Sequence, residues 1–133
     1  MALRWYTVVI DCHDIAAQSR WWANVLDYRI VHEDENEVAI VPKHASDDPV
    51  AEEDWQRQPQ GLVFVPVPEG KTVKNRLHLD LAPHTAQDRD AEIERLLSLG
   101  AQRIDVGQGP DVTWTVMADP EGNEFCVLSS RDR

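Results

Sequence analysis

The run from Asp119 to Leu128 constrains the fold of this chain more than any other segment, because it joins a tight turn directly to an alternating strand. Pro120 suits the second position of a type I turn, and Gly122 suits the left-handed conformation at its end. Beyond the turn the apolar side chains fall on one face, while Glu124 and Cys126 fall on the other. The pattern predicts a half-buried strand whose polar face carries a carboxylate and a thiol, either as a pair of ligands or as a solvated surface of the sheet.

Two earlier segments show the same alternation of apolar and polar side chains. In Leu77–Leu81, a leucine at every second position leaves His78 and Asp80 together on the polar face. In Tyr6–Asp11 the alternate positions that face the core are again apolar. The opposite face of this first strand carries Thr7, Val9 and Asp11. The two strands therefore look like copies of one element.

The order of the predicted elements repeats along the chain as strand, helix and three strands. The first helix begins after Asp14, which suits an N-cap, and runs to about Leu26. The second is predicted to start at Thr85 as N-cap and to run to Leu99, where Gly100 closes it. The predicted strands cover residues 5–11, 28–32, 37–41, 61–67, 76–81, 103–106, 112–117 and 124–128.

A short internal similarity supports this duplication. Asp11 precedes an Ala-Gln-Ser-Arg run by the same spacing with which Asp80 precedes an Ala-Gln-Asp-Arg run. Five matched positions carry little weight alone, but together with the repeated order of elements they predict two βαβββ units.

The charge balance excludes several classes of partner. The chain has 13 Lys and Arg residues against 24 Asp and Glu residues, a net charge of −11, so it lacks the basic surface that nucleic acid or an anionic membrane requires. No apolar run approaches the roughly 20 residues of a membrane span, and the N-terminus lacks the pattern of a signal peptide. We therefore expect a cytoplasmic protein.

The two cysteines are predicted to stay reduced. Cys12 has the core-facing parity of its strand, whereas Cys126 has the opposite parity of its own. Side chains that point in opposed directions do not form a disulfide easily, and free thiols suit a reducing compartment.

Taken together, these motifs resemble the vicinal oxygen chelate superfamily. The resemblance is carried by paired βαβββ units, a helix with Trp21 and Trp22 after Asp14, a histidine in the fifth strand and the turn at Asp119–Asn123. More narrowly, the chain is similar to glyoxalase-like and bleomycin-resistance-like single-domain proteins. The resemblance implies an α+β fold of one domain over residues 1–133, whose modules, about 4–67 and 75–129, form a curved mixed sheet with helices on its outer face. Its members include isomerases, dioxygenases, thiol transferases and metal-free drug-binding proteins, so the fold does not choose the activity.

The resemblance also implies where a metal would bind, because its metal-using members hold a divalent ion with residues on the first and last strands of both modules. The fifth-strand position falls on His78, and the eighth-strand position falls on Cys126 instead of glutamate. The first-strand position falls on Thr7 or Val9, and the fourth-strand position lies among residues 62–65, none of which is a good ligand. The absence of most of these ligands predicts a protein that binds no metal.

An atypical metal site is the alternative. His78 and Cys126, with Glu124 or Asp80 as a third ligand, could hold a divalent ion such as zinc, nickel or iron. His78 could instead act as a catalytic base whose tautomer a carboxylate fixes, or it could simply make a hydrogen bond on the sheet.

The sequence also offers aromatic rings for a pocket. Trp55 stands in an acidic segment, residues 43–60, and Trp114 lies within a predicted strand. The segment is interpreted as a lid over the first module, with a partly disordered insertion or a dimer contact as the alternatives. Acidic side chains at Asp11, Asp80 and Glu124 would favour a cationic ligand. The residues predicted to bind a ligand are Thr7, Val9, Asp11, Trp55, Phe64, His78, Asp80, Trp114, Glu124 and Cys126.

These observations lead to three hypotheses of function. The first is a metal-independent protein that binds a small organic molecule, for example a basic drug, in the cup of the sheet. The second is a glyoxalase-like lyase or isomerase that uses the atypical metal site or His78 as a base. The third is a structural or regulatory dimer without a ligand. In each case we expect a homodimer, because two-fold dimers are the commonest oligomers and the resemblance favours one.

Overall fold

A computed structural model of the chain describes residues 2–133. Its described residues form two compact units, which meet in sequence between Gly70 and Lys71. Each unit contains one four-stranded mixed sheet and one α-helix. The α+β class and the repeated order of strand, helix and three strands are therefore confirmed.

The first unit contains a sheet with the strand order β1-β4-β3-β2. The pair β1 and β4 is parallel, and the other neighbouring pairs are antiparallel. A 3₁₀ helix in the acidic segment precedes β4. The elements are β1 (Thr7–Cys12), α1 (Ile15–Leu26), β2 (Tyr28–Glu33), β3 (Val38–Pro42), the 3₁₀ helix (Glu52–Arg57) and β4 (Gly61–Pro66).

The second unit repeats this topology. Its strand order is β5-β8-β7-β6, with β5 and β8 parallel and the other pairs antiparallel. The equivalent parallel pairs align Asp11 with Val65 in the first unit and Asp80 with Cys126 in the second. The elements are β5 (Leu79–Leu81), α2 (Arg89–Ser98), β6 (Gln102–Arg103), β7 (Thr115–Ala118) and β8 (Glu124–Val127).

Helix α1 begins as its sequence predicts. The side chain of Asp14 accepts a hydrogen bond of 3.0 Å from the backbone N–H of Ala17, which satisfies a donor that the first turn leaves unpaired. The helix buries Trp21 and Trp22, whose rings meet edge to face with centroids 5.1 Å apart. It ends where Asp27 adopts a left-handed conformation with φ +57°.

Helix α2 begins later than predicted, because its N-cap is Asp88 and not Thr85. The Asp88 carboxylate accepts hydrogen bonds from the backbone N–H groups of Asp90 and Ala91. The preceding residues instead form a turn, in which the N–H of Gln87 donates to the carbonyl of His84 at 2.8 Å. The helix ends at Ser98, one residue before the predicted end, and Gly100 follows its C-cap Leu99 with φ +106°, as the sequence predicts.

All four strands of the second unit are shorter than predicted, β8 by a single residue. Strand β5 starts at Leu79, so the side chain of Leu77 is 89% exposed and does not belong to the core. Strands β6 and β7 are separated by an irregular loop that contains two left-handed glycines, Gly107 and Gly109.

The turn before β8 has the predicted geometry. The Asp119 carboxylate accepts hydrogen bonds of 3.0 Å from the backbone N–H groups of Glu121 and Asn123, and Gly122 has φ +89°. Asp119 is almost fully buried, so these bonds satisfy a polar group that water does not reach. The turn therefore fixes where β8 starts.

The start of β4 brings two backbones very close together. A Cβ atom built on Gly61 would lie 2.5 Å from the carbonyl oxygen of Ile40 and 3.0 Å from a methyl of Val41. The oxygen belongs to the neighbouring strand and cannot move aside as a flexible side chain could. Only glycine fits this position without displacing β3.

Neither α-helix among residues 2–133 has the length and apolar character needed to cross a bilayer. Both cysteines are buried, and they do not form the disulfide that the sequence argued against.

Candidate functional site

Five of the residues predicted to bind a ligand line one cavity in the second unit. This cavity has a volume of about 370 Å³ and lies against strands β5, β7 and β8, with part of the loop before β7. We call it the β8 cavity. The predicted residues that line it are His78, Asp80, Trp114, Glu124 and Cys126.

Three polar side chains of the β8 cavity form a continuous chain of contacts. The Nε2 atom of His78 lies 3.2 Å from Oδ1 of Asp80, and Cys126 faces Asp80 across the β5 and β8 pair. Burial raises the pKa of the Cys126 thiol, and the charge and hydrogen bond of Asp80 raise it further, whereas Lys74 opposes them. Cys126 is therefore a neutral thiol near pH 7, and it lacks the thiolate that nucleophilic catalysis requires.

Glu124 plays a different part from the one predicted. Its Oε1 atom lies 3.1 Å from Nζ of Lys71, and its Oε2 atom accepts a 3.0 Å hydrogen bond from the backbone N–H of Asn75. Burial alone would raise the pKa of this carboxyl, but the hydrogen bonds from two backbone N–H groups and from Lys71 outweigh it and hold the pKa below its ordinary value. Both oxygens are engaged, so Glu124 anchors the segment that leads to His78.

The donor groups of the β8 cavity fit a divalent metal, although Glu124 is not among them. One ligand atom each from His78, Asp80 and Cys126 lies within 4.8 Å of the others. An imidazole, a carboxylate and a thiol suit zinc, and catalytic zinc commonly takes three protein ligands and leaves one position open. Asp80, and not Glu124, is thus the third candidate ligand.

The first unit holds a separate cavity of about 410 Å³, which Thr7 and Trp55 line together with part of the acidic segment. The indole of Trp55 is 39% exposed and contacts the ring of Tyr6, with centroids 6.2 Å apart. The Arg4 guanidinium stacks over both rings, 4.5 Å from the Trp55 centroid. Trp55, which the sequence predicts to line a pocket, is therefore partly covered by the guanidinium of Arg4.

The remaining predicted residues of the first unit do not gather into a site. Val9 and Asp11 are exposed on β1 but line neither of the two cavities. Phe64 is completely buried, because its side chain points from β4 into the core, which corrects its assignment as a ligand contact. The Thr7 hydroxyl donates a hydrogen bond of 3.1 Å to the carbonyl oxygen of Gly61, so its donor is used within the sheet.

The prediction missed the lysines of the β8 cavity. Lys71 holds Glu124, and Lys74 lines the cavity. These are two of the three lysines in the chain, and they lie within four residues in an otherwise acidic sequence. That local concentration of positive charge was the available signal, but only the fold brings it against β8.

Comparison with known families identifies one match over most of the chain. The sequence profile of the glyoxalase-like domain family matches residues 7–128, from the start of β1 to just after β8. The comparison with curated proteins finds no match.

Solved structures share the fold at low sequence identity. A glyoxalase/bleomycin resistance protein/dioxygenase family enzyme from Burkholderia phytofirmans PsJN has a TM-score of 0.69 and 16% identity, over 97% of this chain and 100% of that one. The fosfomycin resistance protein FosX from Listeria monocytogenes, in a complex with Mn(II) and 1S,2S-dihydroxypropylphosphonic acid, has a TM-score of 0.69 and 10% identity, over 98% and 93%. The oxidase ChaP-H2 has a TM-score of 0.65 and 14% identity, over 99% and 96%. These likenesses concern the fold, and the profile match settles the family: the chain belongs to the glyoxalase-like domain family.

Proposed function

We propose that this glyoxalase-like protein binds a small organic molecule in the β8 cavity. One observation carries the proposal: five of the ten residues predicted from the sequence to contact a ligand converge on this cavity. Its volume of about 370 Å³ falls within the roughly 300–1,000 Å³ that small-molecule sites occupy.

The side chains of the β8 cavity divide into an apolar wall and a polar wall. Trp114 is 40% exposed and offers the face or edge of its indole to an apolar ligand. On the polar side, the contact of His78 with Asp80 orients the imidazole and leaves its Nδ1 atom for a ligand. An apolar surface with a few oriented polar groups is the usual composition of a binding site.

Ligand binding should therefore change the fluorescence of Trp114. We expect a panel of small aromatic and aliphatic metabolites and drugs to contain members that quench or shift the emission of the wild type, because burial of an exposed indole changes its environment. The response should disappear in Trp114→Phe and persist in Trp55→Phe, whose indole lies in the other unit. Titration of the three proteins measures it. A response lost in Trp55→Phe and kept in Trp114→Phe would place the ligand elsewhere and contradict the proposal.

A second candidate function uses a divalent metal in the same cavity. It is favoured by the cluster of His78, Asp80 and Cys126, and a structural neighbour was solved with Mn(II). When bound, such an ion would act as a Lewis acid that polarises an oxygen of the ligand. His78 and Cys126 would hold it, and Asp80 would exchange its contacts with both side chains for a bond to the metal.

Metal retention distinguishes the two candidates. If the cluster binds zinc, protein incubated with zinc and then desalted should keep about one ion per chain by elemental analysis. Cys126 must lose a proton to bind, and its pKa is raised, so metal affinity should rise with pH through the neutral and alkaline range. His78→Ala should weaken zinc affinity by about 100-fold or more, as expected on loss of one of only three protein ligands. His44→Ala removes an exposed histidine of the first unit and should have no effect. Equal zinc retention in both variants would eliminate the cluster as the site.

A structural dimer without a ligand is the third hypothesis, and it is the one left if neither a ligand nor a metal binds. The homodimer, the cytoplasmic location and the assembly of both modules into one domain stay predictions.

A further inference from the structure

The charges around the β8 cavity point to the class of ligand. We propose that the cavity binds an organic carboxylate, whose charge pairs with Lys74 and whose apolar part packs against Trp114. This inference rests on the proposed ligand-binding function and replaces the cationic ligand expected from the sequence.

The carboxylates that would attract a cation are already engaged. One carboxylate oxygen of Glu124 accepts a hydrogen bond from the ammonium of Lys71, and the other accepts one from the backbone N–H of Asn75. Asp80 lies 3.2 Å from Nε2 of His78 and stands opposite Cys126 in the β5 and β8 pair. At Glu124 a cationic ligand would have to displace donors that the protein supplies itself, and leaving such donors unpaired is costly.

Lys74 is the charged group of the cavity whose partner is missing. Among residues 2–133, Lys71 and Lys43 each form an ion pair with a carboxylate, whereas Lys74 makes no hydrogen bond or ion pair. Its side chain is exposed and lines the β8 cavity together with Cys126. The positive charge therefore faces the same cavity as the polar chain of contacts.

The rest of the cavity surface is suited to an apolar molecule. Val106, Val116 and Leu128 line it together with Trp114, and its exposed surface is mainly apolar. A single ammonium matches one carboxylate, whereas a phosphate or phosphonate usually takes several charged or backbone donors. The preferred ligand is thus a monocarboxylate with an aromatic or branched aliphatic body.

The net charge of −11 does not oppose this conclusion at close range. The screening length at physiological ionic strength is about 8 Å, so most of the acidic surface acts only weakly on a ligand inside the cavity. It slows the approach of an anion, while contact with Lys74 decides the affinity.

Matched sets of ligands test the inference. Each set shares one apolar body and differs in its end group: 3-phenylpropanoate, 3-phenylpropanamide and 3-phenylpropylamine form one set, and 4-methylpentanoate with its amide and amine form another. We expect each carboxylate to bind about 10-fold or more tightly than its amide, which is the range of a charge-assisted hydrogen bond, and the amine to bind most weakly. Tryptophan fluorescence and isothermal titration calorimetry measure these affinities.

Two lysine variants test whether Lys74 causes the preference for the carboxylate. Lys74→Gln should reduce the advantage of the carboxylate over the amide to less than about 2-fold while leaving amide affinity nearly unchanged, because only the charged contact is lost. Lys43→Gln, which removes a paired lysine of the first unit, should keep the wild-type preference. Equal affinity for all three end groups, preference for the amine, or unchanged preference in Lys74→Gln would overturn the inference but leave the binding function in place. If no member of either set or of the wider panel binds folded protein, the proposed function itself fails.

Discussion

Replacing Glu124 with alanine should lower the free energy of unfolding by about 2–4 kcal/mol, an effect expected when one partner of a largely buried ion pair is removed. The side chains of Glu124 and Lys71 are only 10% and 21% exposed, so water cannot replace the lost carboxylate well. The substitution also leaves the N–H of Asn75 without its acceptor. Urea unfolding followed by tryptophan fluorescence at pH 7 measures the loss.

The same contact predicts how stability depends on pH. The pKa of Glu124 is lower in the folded chain than its ordinary value of 4.5, so its stabilising contribution is fully present above that value. It is lost as the pH falls through the lowered pKa. Glu124→Gln should therefore be destabilised at pH 7, and its stability should fall less steeply than that of the wild type below about pH 4.5.

Glu69→Gln provides the matched control, since Glu69 is exposed just before the same segment and has no ion pair among the described residues. Its stability should stay within about 0.5 kcal/mol of the wild type. If both glutamine variants behave alike across the pH range, the contact with Lys71 and Asn75 does not stabilise the fold.

Gly61→Ala should destabilise the first unit by about 1–3 kcal/mol or more, because the new methyl group would overlap the carbonyl oxygen of Ile40. Relief of the overlap requires β3 and β4 to move apart at the place where they pair. Thermal and urea unfolding should both report the loss, and the signal of the buried Trp22 follows this unit directly.

Gly70→Ala separates this steric effect from the general effect of replacing glycine. A Cβ atom at Gly70 would meet only the ring of His13 at 3.7 Å, which is an ordinary contact. The variant should be unchanged or stabilised by up to about 1 kcal/mol, because alanine restricts the unfolded chain. A comparable loss of stability in both glycine variants would mean that the close approach to Ile40 is not the cause.

The parts of the fold predicted correctly from the sequence are those fixed by local chemistry. Asp14 caps its helix, and Gly100 and Gly122 take left-handed conformations, because each of these preferences depends on neighbours within a few residues. Alternation also placed Glu124 and Cys126 on one face, which the shared cavity confirms.

The parts predicted wrongly depend on contacts between distant residues. Thr85 and Asp88 are both good N-caps, and the choice of Asp88 follows from a turn that His84 forms next to the C-terminal segment. Strand β5 starts only at Leu79, and the segment before it contacts Glu124, about 50 positions away, through Lys71 and Asn75. Sequence alone could not show that the Glu124 carboxylate is already paired with Lys71 and Asn75.

In each unit the first strand pairs in parallel with the last strand, and this arrangement has a consequence for how the chain folds during synthesis. Thr7 pairs with Gly61, 54 positions later. In the same way, β5 has no parallel partner until β8 has been synthesised. Neither sheet can be completed until the last strand of its unit has left the ribosome, and such distant pairings form slowly. The antiparallel strands β2 and β3 can meet earlier, which leaves β3 with an unpaired apolar edge until β4 arrives. This interval is when the nascent chain is most exposed to aggregation, and the acidic residues between β3 and β4 place repulsive charge beside that edge.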